Sequence, residues 1–182
     1  MCLGVVRYKY ESCDIMGIEY NYECKKCNYH KFIHLGIGFL FPKVYNDIVD
    51  EAKNGKYGKE IQAFLNMFSE GRIDAEDVLI VCQECGNIEV VPDLSMYIPK
   101  NEIPKKDDKL PWSVEFPFIG LSYLTHNDLI NDYDLFERYD HKCSKCQGKT
   151  EIIARDSIKQ ENTLKCPYCK SVLSLTGIGM CD

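Results

Sequence analysis

No apolar run in this 182-residue chain approaches the roughly 18 residues that a bilayer-crossing helix needs. The first 15 residues hold no long apolar stretch of the kind a secretory leader carries. The expectation is a soluble, intracellular, cytoplasmic protein. Residues 1–17 read as an extension, with Met16 as an alternative native start. Histidine is scarce, at four residues. His30, His34, His126 and His141 form no H-E-x-x-H pair. No H-x-E accompanies a P-C-x-x-C in the way zinc deaminases require. Walker, dinucleotide and G-x-S-x-G motifs are also missing. The residues therefore argue against an enzyme of these classes.

Cysteine is abundant. Of 11 cysteines, eight form four C-x-x-C pairs: Cys24/Cys27, Cys82/Cys85, Cys143/Cys146 and Cys166/Cys169. Cys2, Cys13 and Cys181 are left over as spare thiols. An odd total and this short repeated spacing do not suit a secreted disulfide framework. In a reducing compartment the pattern points to metal. Zn²⁺ takes four tetrahedral ligands and thiolates satisfy it well; one C-x-x-C supplies two of them from one tight turn. Two structural Zn²⁺ per chain is the expectation. Iron, which accepts the same four thiolates, is the alternative. Each closed site contributes an apparent ~10–16 kcal/mol to folding, against about 5–15 kcal/mol for a whole domain.

The formal charge of −6 is unevenly spread. Residues 1–71 balance at nine basic and nine acidic side chains, residues 72–140 hold six against fifteen, and residues 141–182 hold seven against four. Each four-thiolate site adds about −2. The total opposes unspecific attraction to nucleic acid. Lys25, Lys26, Lys142, Lys145, Lys165 and Lys170 flank the cysteines and balance their charge locally.

Patterning gives an α+β chain of small antiparallel β units. Ile18 to Glu23 alternates and leads into Cys24, and Tyr29 to Leu35 reads as its return strand. Pro42 opens a helix bearing Tyr45, Ile48, Val49 and Ala52. A second helix carries Ile61, Phe64, Leu65 and Phe68, with Gly71 as its expected stop. Val78–Val81 and Ile88–Val91 flank the second knuckle as strands. Residues 99–111, with three prolines and many charges, read as a linker. Trp112, Val114, Phe116 and Phe118 alternate as a strand. Thr125 to Tyr139 suggests a short acidic helix with Leu129, Ile130, Leu135 and Phe136 inward. Strands flank the last two knuckles, and the end of the chain is expected to fray.

Tyr20-Asn21-Tyr22-Glu23-Cys24-Lys25-Lys26-Cys27 resembles the opening of short bacterial zinc-ribbon regulatory proteins. Residues 143–169 resemble a generic zinc ribbon of the rubredoxin-like kind. The resemblance covers the knuckles and implies a fold and a metal, not a reaction. It yields two zinc ribbons: residues 18–98, with a helical insertion at about 43–70, and residues 112–182, an aromatic and acidic segment followed by the C-terminal ribbon. Sequential pairing is expected, 24/27 with 82/85 and 143/146 with 166/169. The long insertion is tolerable because loop closure costs only about 0.6 kcal/mol per doubling of length. The alternative is interleaved pairing across the halves, which would make one compact domain. Cys166-Pro167-Tyr168-Cys169 also matches a glutaredoxin motif, but without the βαβ context that redox chemistry needs.

The resulting reading is a zinc-binding module that contacts another protein, through the aromatic strand at 112–118 and the acidic stretch 126–140. One alternative is nucleic-acid binding through Lys142, Lys145, Lys149, Arg155, Lys159, Lys165 and Lys170. Others are an iron-bound rubredoxin-like electron carrier, and an enzyme or accessory subunit using a cleft near His30, His34 or His126.

Overall fold

The computed structural model describes residues 17–36, 38, 40–100, 121–159 and 163–181. The extension before Gly17, Cys2 and Cys13, most of the linker and the aromatic stretch 112–118 lie outside them. The architecture is α+β, as expected. The described residues build three small three-stranded antiparallel sheets and four helices. None of these helices is long and apolar enough to cross a membrane.

The first sheet follows directly from the alternation near the N-terminus. Strands β1 (Gly17–Glu23) and β2 (His30–Leu35) pair as a hairpin whose tip is the first knuckle. Tyr20 and Tyr22 point into the core, as do Ile33 and Leu35 opposite. In the second sheet, β4 (Asp77–Cys82) and β5 (Ile88–Pro92) repeat this layout around the second knuckle.

Each hairpin takes a third strand from far along the chain. Strand β8 (Thr150–Ile153) pairs with β4, and β9 (Ser174–Cys181) pairs with β1. The sheet orders are β5-β4-β8 and β2-β1-β9, one plan used twice. The second unit, residues 77–153, lies wholly inside the chain span of the first. Both share one core, in which Tyr20, Tyr22, Ile33 and Leu35 meet Leu79, Ile88, Ile158, Leu164 and Leu173. The backbone pairing of β9 runs to Cys181, opposite Gly17, so the expected fraying at this end is corrected.

The segment between β2 and β4 holds α1 (Phe41–Lys53), which Pro42 opens, and α2 (Lys59–Met67). Phe41, Tyr45, Ile48, Ala52, Ile61 and Phe64 form a second core with Ile73, Leu94 and Met96. The helix α2 stops four residues before Gly71. The glycine is needed there for space, because a Cβ would sit 2.9 Å from the Phe64 ring.

A third sheet joins β3 (Arg72–Ile73), β6 (Met96–Pro99) and β7 (Tyr133–Glu137) in that order. The acidic helix expected over 125–139 is only half helix. Here α3 (His126–Asp132) starts at a capping box between Thr125 and Asp128 and gives way to β7. Pairing with β6 overrides helical spacing, so Leu135 and Phe136 are exposed and Leu129 alone of the expected inner set is buried. A short helix, α4 (Arg155–Ile158), follows β8.

Candidate metal centres

The four C-x-x-C segments adopt one backbone conformation. In each, the N–H of the residue after the second cysteine donates to the carbonyl of the first: Asn28 to Cys24 at 3.0 Å, Gly86 to Cys82 at 3.0 Å, Gln147 to Cys143 at 2.9 Å and Lys170 to Cys166 at 2.9 Å. Those four acceptor-facing residues all have positive φ, at 55°, 77°, 60° and 61°. The first cysteine's own N–H donates to the carbonyl five residues on, at Tyr29, Asn87, Gly148 and Ser171. The residue before each knuckle pairs across it: Glu23 with His30, Val81 with Ile88, Lys142 with Lys149, Lys165 with Val172. The first cysteine of every knuckle is buried, while Cys27 and Cys146 are exposed.

These turns meet in two tetrads. Cys24, Cys27, Cys166 and Cys169 form one, and Cys82, Cys85, Cys143 and Cys146 the other, each with all four sulfurs within 4.8 Å of one another. Cross-knuckle Sγ···Sγ distances are 3.4 Å for Cys24–Cys169, 3.4 Å for Cys27–Cys166, 3.4 Å for Cys82–Cys146 and 3.6 Å for Cys85–Cys143. A tetrahedron with metal–sulfur bonds of about 2.3 Å has edges of about 3.8 Å. The donor set and its spacing therefore fit a tetrahedral thiophilic ion.

The expected sequential pairing is corrected. Outer knuckle meets outer and inner meets inner, which is pairing across the halves in a nested form. The reason lies in the strands: β9 docks on β1 and β8 on β4, and each carries the preceding knuckle to the hairpin tip it completes.

Packed this closely, the thiols split in acidity. The Cys85 backbone N–H draws Cys82 down to about 6, and Ser171 draws Cys169 down to about 6. Contact with the Cys166 thiol pushes Cys27 up to about 12. The Gly148 N–H pulls Cys146 down, but the neighbouring Cys82, Cys85 and Cys143 thiols and desolvation together outweigh it and leave Cys146 at about 12. A divalent cation among the sulfurs displaces these protons.

The knuckles that carry the two tetrads are joined by a hydrogen bond. Lys170, from the outer site, donates from Nζ to the Cys85 carbonyl of the inner site at 2.7 Å. Gly86 lies against it, and a Cβ there would be 2.9 Å from Lys170 Nζ and 3.8 Å from Pro167 Cα. Lys145 sits 5.7 Å from the centre of the exposed Tyr168 ring, which packs edge-on against Tyr29. Of the other flanking lysines, Lys142 pairs with Asp140 at 2.6 Å.

None of the four histidines belongs to a tetrad. His30 pairs with Glu23 across the hairpin at 3.2 Å. His34 is exposed on β2. Buried His141 places Nε2 2.9 Å from the Asp93 carbonyl, and burial lowers its pKa. His126 lines a cleft of about 310 Å³ with Glu76, Thr125, Asn127, Ala154, Arg155 and Asp156. Its Nδ1 is 2.6 Å from Oδ2 of Asp74, a carboxylate only 1% exposed. Glu76, also buried, accepts from the His126 N–H at 2.6 Å and from Arg155 at 2.5 Å. His126 and Arg155 are thus each engaged by a buried carboxylate, and together they clamp α3 and α4 to the β3–β4 connection. Spacing in sequence gives no sign of this clamp, whose partners are 52 and 79 residues apart.

No protein-family model, curated protein or solved structure matches this chain. Its chemistry is read from the two tetrads.

Proposed function

We propose that this chain is a cytoplasmic zinc-binding module in which two four-thiolate zinc ribbons, one nested in the other, hold a surface for another protein. The observation that carries the reading is the pair of closed cysteine tetrads. All four positions of each site are thiolates, the pattern of a structural rather than a catalytic zinc. The eight ligands are Cys24, Cys27, Cys166 and Cys169 in one site, and Cys82, Cys85, Cys143 and Cys146 in the other. The contact surface for a partner protein is the acidic β7 edge, where Asp134 and Glu137 stand beside exposed Leu135 and Phe136.

Metal analysis of the purified chain tests the core of the reading. Two zinc per chain is the expected content. The double variant Cys24→Ser/Cys166→Ser should retain one while its inner unit stays folded, because both substitutions fall in one site. Loss of both ions from a variant that circular dichroism shows to be folded would restore sequential pairing. Iron at either site, with its visible absorption and a reversible one-electron couple, would favour the electron carrier instead.

A second reading rests on the knuckle tips. Tyr168 is 71% exposed beside Lys145, and Lys25 and Lys26 are exposed on the first knuckle. An aromatic ring flanked by lysines suits a stacked base of single-stranded nucleic acid. Such binding should weaken steeply with salt and with Tyr168→Ala. A flat salt response discards it.

A further inference from the structure

Sheet edges present unpaired N–H and C=O groups, and proteins guard them with charge, proline or shortness. Six strands lie at sheet edges among the described residues: β2, β9, β3, β7, β5 and β8. Five are guarded. β2 carries Lys31, β5 carries Glu89 and Pro92, β7 carries Asp134 and Glu137, and β8 carries Glu151, while β3 has two residues, one of them Arg72. β9 is different. Its eight residues, Ser-Leu-Thr-Gly-Ile-Gly-Met-Cys, include no charge and no proline, and it is the longest of the six.

This edge is also apolar. Ile178 is 57% exposed and Met180 70% exposed. In register they stand opposite Tyr20 and Ile18, on the face that carries the shared core, since directly paired residues share a face. The core face of the first sheet therefore continues past its covered part into two bare side chains. The opposite face is cut back to glycine at Gly177 and Gly179, beside Asn21 and Glu19.

An occupant must bring an uncharged extended edge with apolar side chains at alternate positions. Among the described edge strands β9 itself alone satisfies this, and an antiparallel pair of identical strands is related by a two-fold axis, the commonest symmetry of homodimers. We propose that β9 is the pairing edge of a homodimer, in which two copies join β9 to β9 into a continuous six-stranded sheet. With the axis at Ile178, the two Ile178 side chains face each other and each Met180 faces Thr176. The protein's net charge of −6 opposes association at long range, while the contact itself is uncharged. Added salt must therefore strengthen the dimer by screening the repulsion.

Sedimentation velocity on the metal-loaded full chain, from 1 to 200 μM, tests this. The expected result is a concentration-dependent dimer whose dissociation constant falls at least threefold between 50 and 500 mM NaCl. Ile178→Lys and, separately, Met180→Lys should raise it tenfold or more, while Phe32→Lys on the opposite edge leaves it unchanged. Metal content and circular dichroism identify any variant that fails to fold, and either of the two β9 variants alone suffices. A chain that stays monomeric at 200 μM overturns the proposal, as does a dimer indifferent to both β9 lysines. A monomer whose β9 amides resist hydrogen exchange also overturns it, because the edge is then covered within one chain.

Discussion

Position 86 shows how the knuckle dictates its own residues. The backbone there is left-handed, at φ 77°, in common with Asn28, Gln147 and Lys170. A side chain in that region costs about 1–2 kcal/mol. Three knuckles bear this cost, and at the fourth a Cβ would also push aside the Lys170 ammonium, 2.9 Å away. Gly86→Ala should destabilise the metal-loaded protein by about 2 kcal/mol, and Gln147→Gly should stabilise it by about 0.5 kcal/mol, since relief of strain exceeds the entropy of glycine. Denaturant midpoints of the two variants check the contrast. From sequence, glycine after Cys85 hints at this conformation, but glutamine and lysine in the matching places conceal it. Only the repeated turn geometry reveals the fourfold equivalence.

Between elements, polar clamps do what the small cores leave undone. The Asp74–His126 pair ties α3 to the chain just after β3. The hydrogen bond to Asp74 raises the His126 pKa, while burial raises that of Asp74 despite the pull of His126. A histidine held more firmly protonated in the folded state adds stability that is fully present below its unfolded value of about 6.5. That contribution fades as pH rises through the raised folded value. The ring is 44% exposed, which keeps the effect small. His126→Gln should cost about 1 kcal/mol at pH 6 and less than half of that at pH 9, as read from urea unfolding at both pH values. Equal losses would reduce the pair to a neutral hydrogen bond. At this scale the hairpins and the helices α1 and α2 were legible from alternation and helical spacing. β7 was not, because Leu135 and Phe136 mimic a helical stripe and only the neighbouring β6 makes that segment a strand.

For the whole molecule, the nested units share one core, so metal loss should be felt across both. Cys24 and Cys166 are themselves packed in that core with Leu79 and Ile88 of the inner unit. Stripping metal with a chelator at pH 7.5 should unfold both sheet units in one transition, followed by hydrogen exchange in β1 and β4 together. Separate transitions would show that the cores are independent. Because four thiols per site must lose their protons, acidification should release the ions, with affinity falling more than tenfold per pH unit. Competition with a chromogenic chelator between pH 8 and pH 6 measures that slope.

Residue order alone was enough for the four knuckle turns: a C-x-x-C with strands on both sides closes locally, whatever happens elsewhere. It was also enough for the α+β class, because alternation and helical spacing are local too. Which turns meet was a tertiary decision. Bringing Cys27 to Cys166, 139 positions away, instead of to Cys82 costs about 1 kcal/mol more in loop closure. Joining Cys85 to Cys143, 58 positions away, instead of Cys146 to Cys166 costs about 1 kcal/mol more. Burying a single Leu such as Leu79, about 1.5–3 kcal/mol, offsets both. Chain separation is thus too weak a force to choose partners, and the docking of β8 and β9 onto the two hairpins makes the choice.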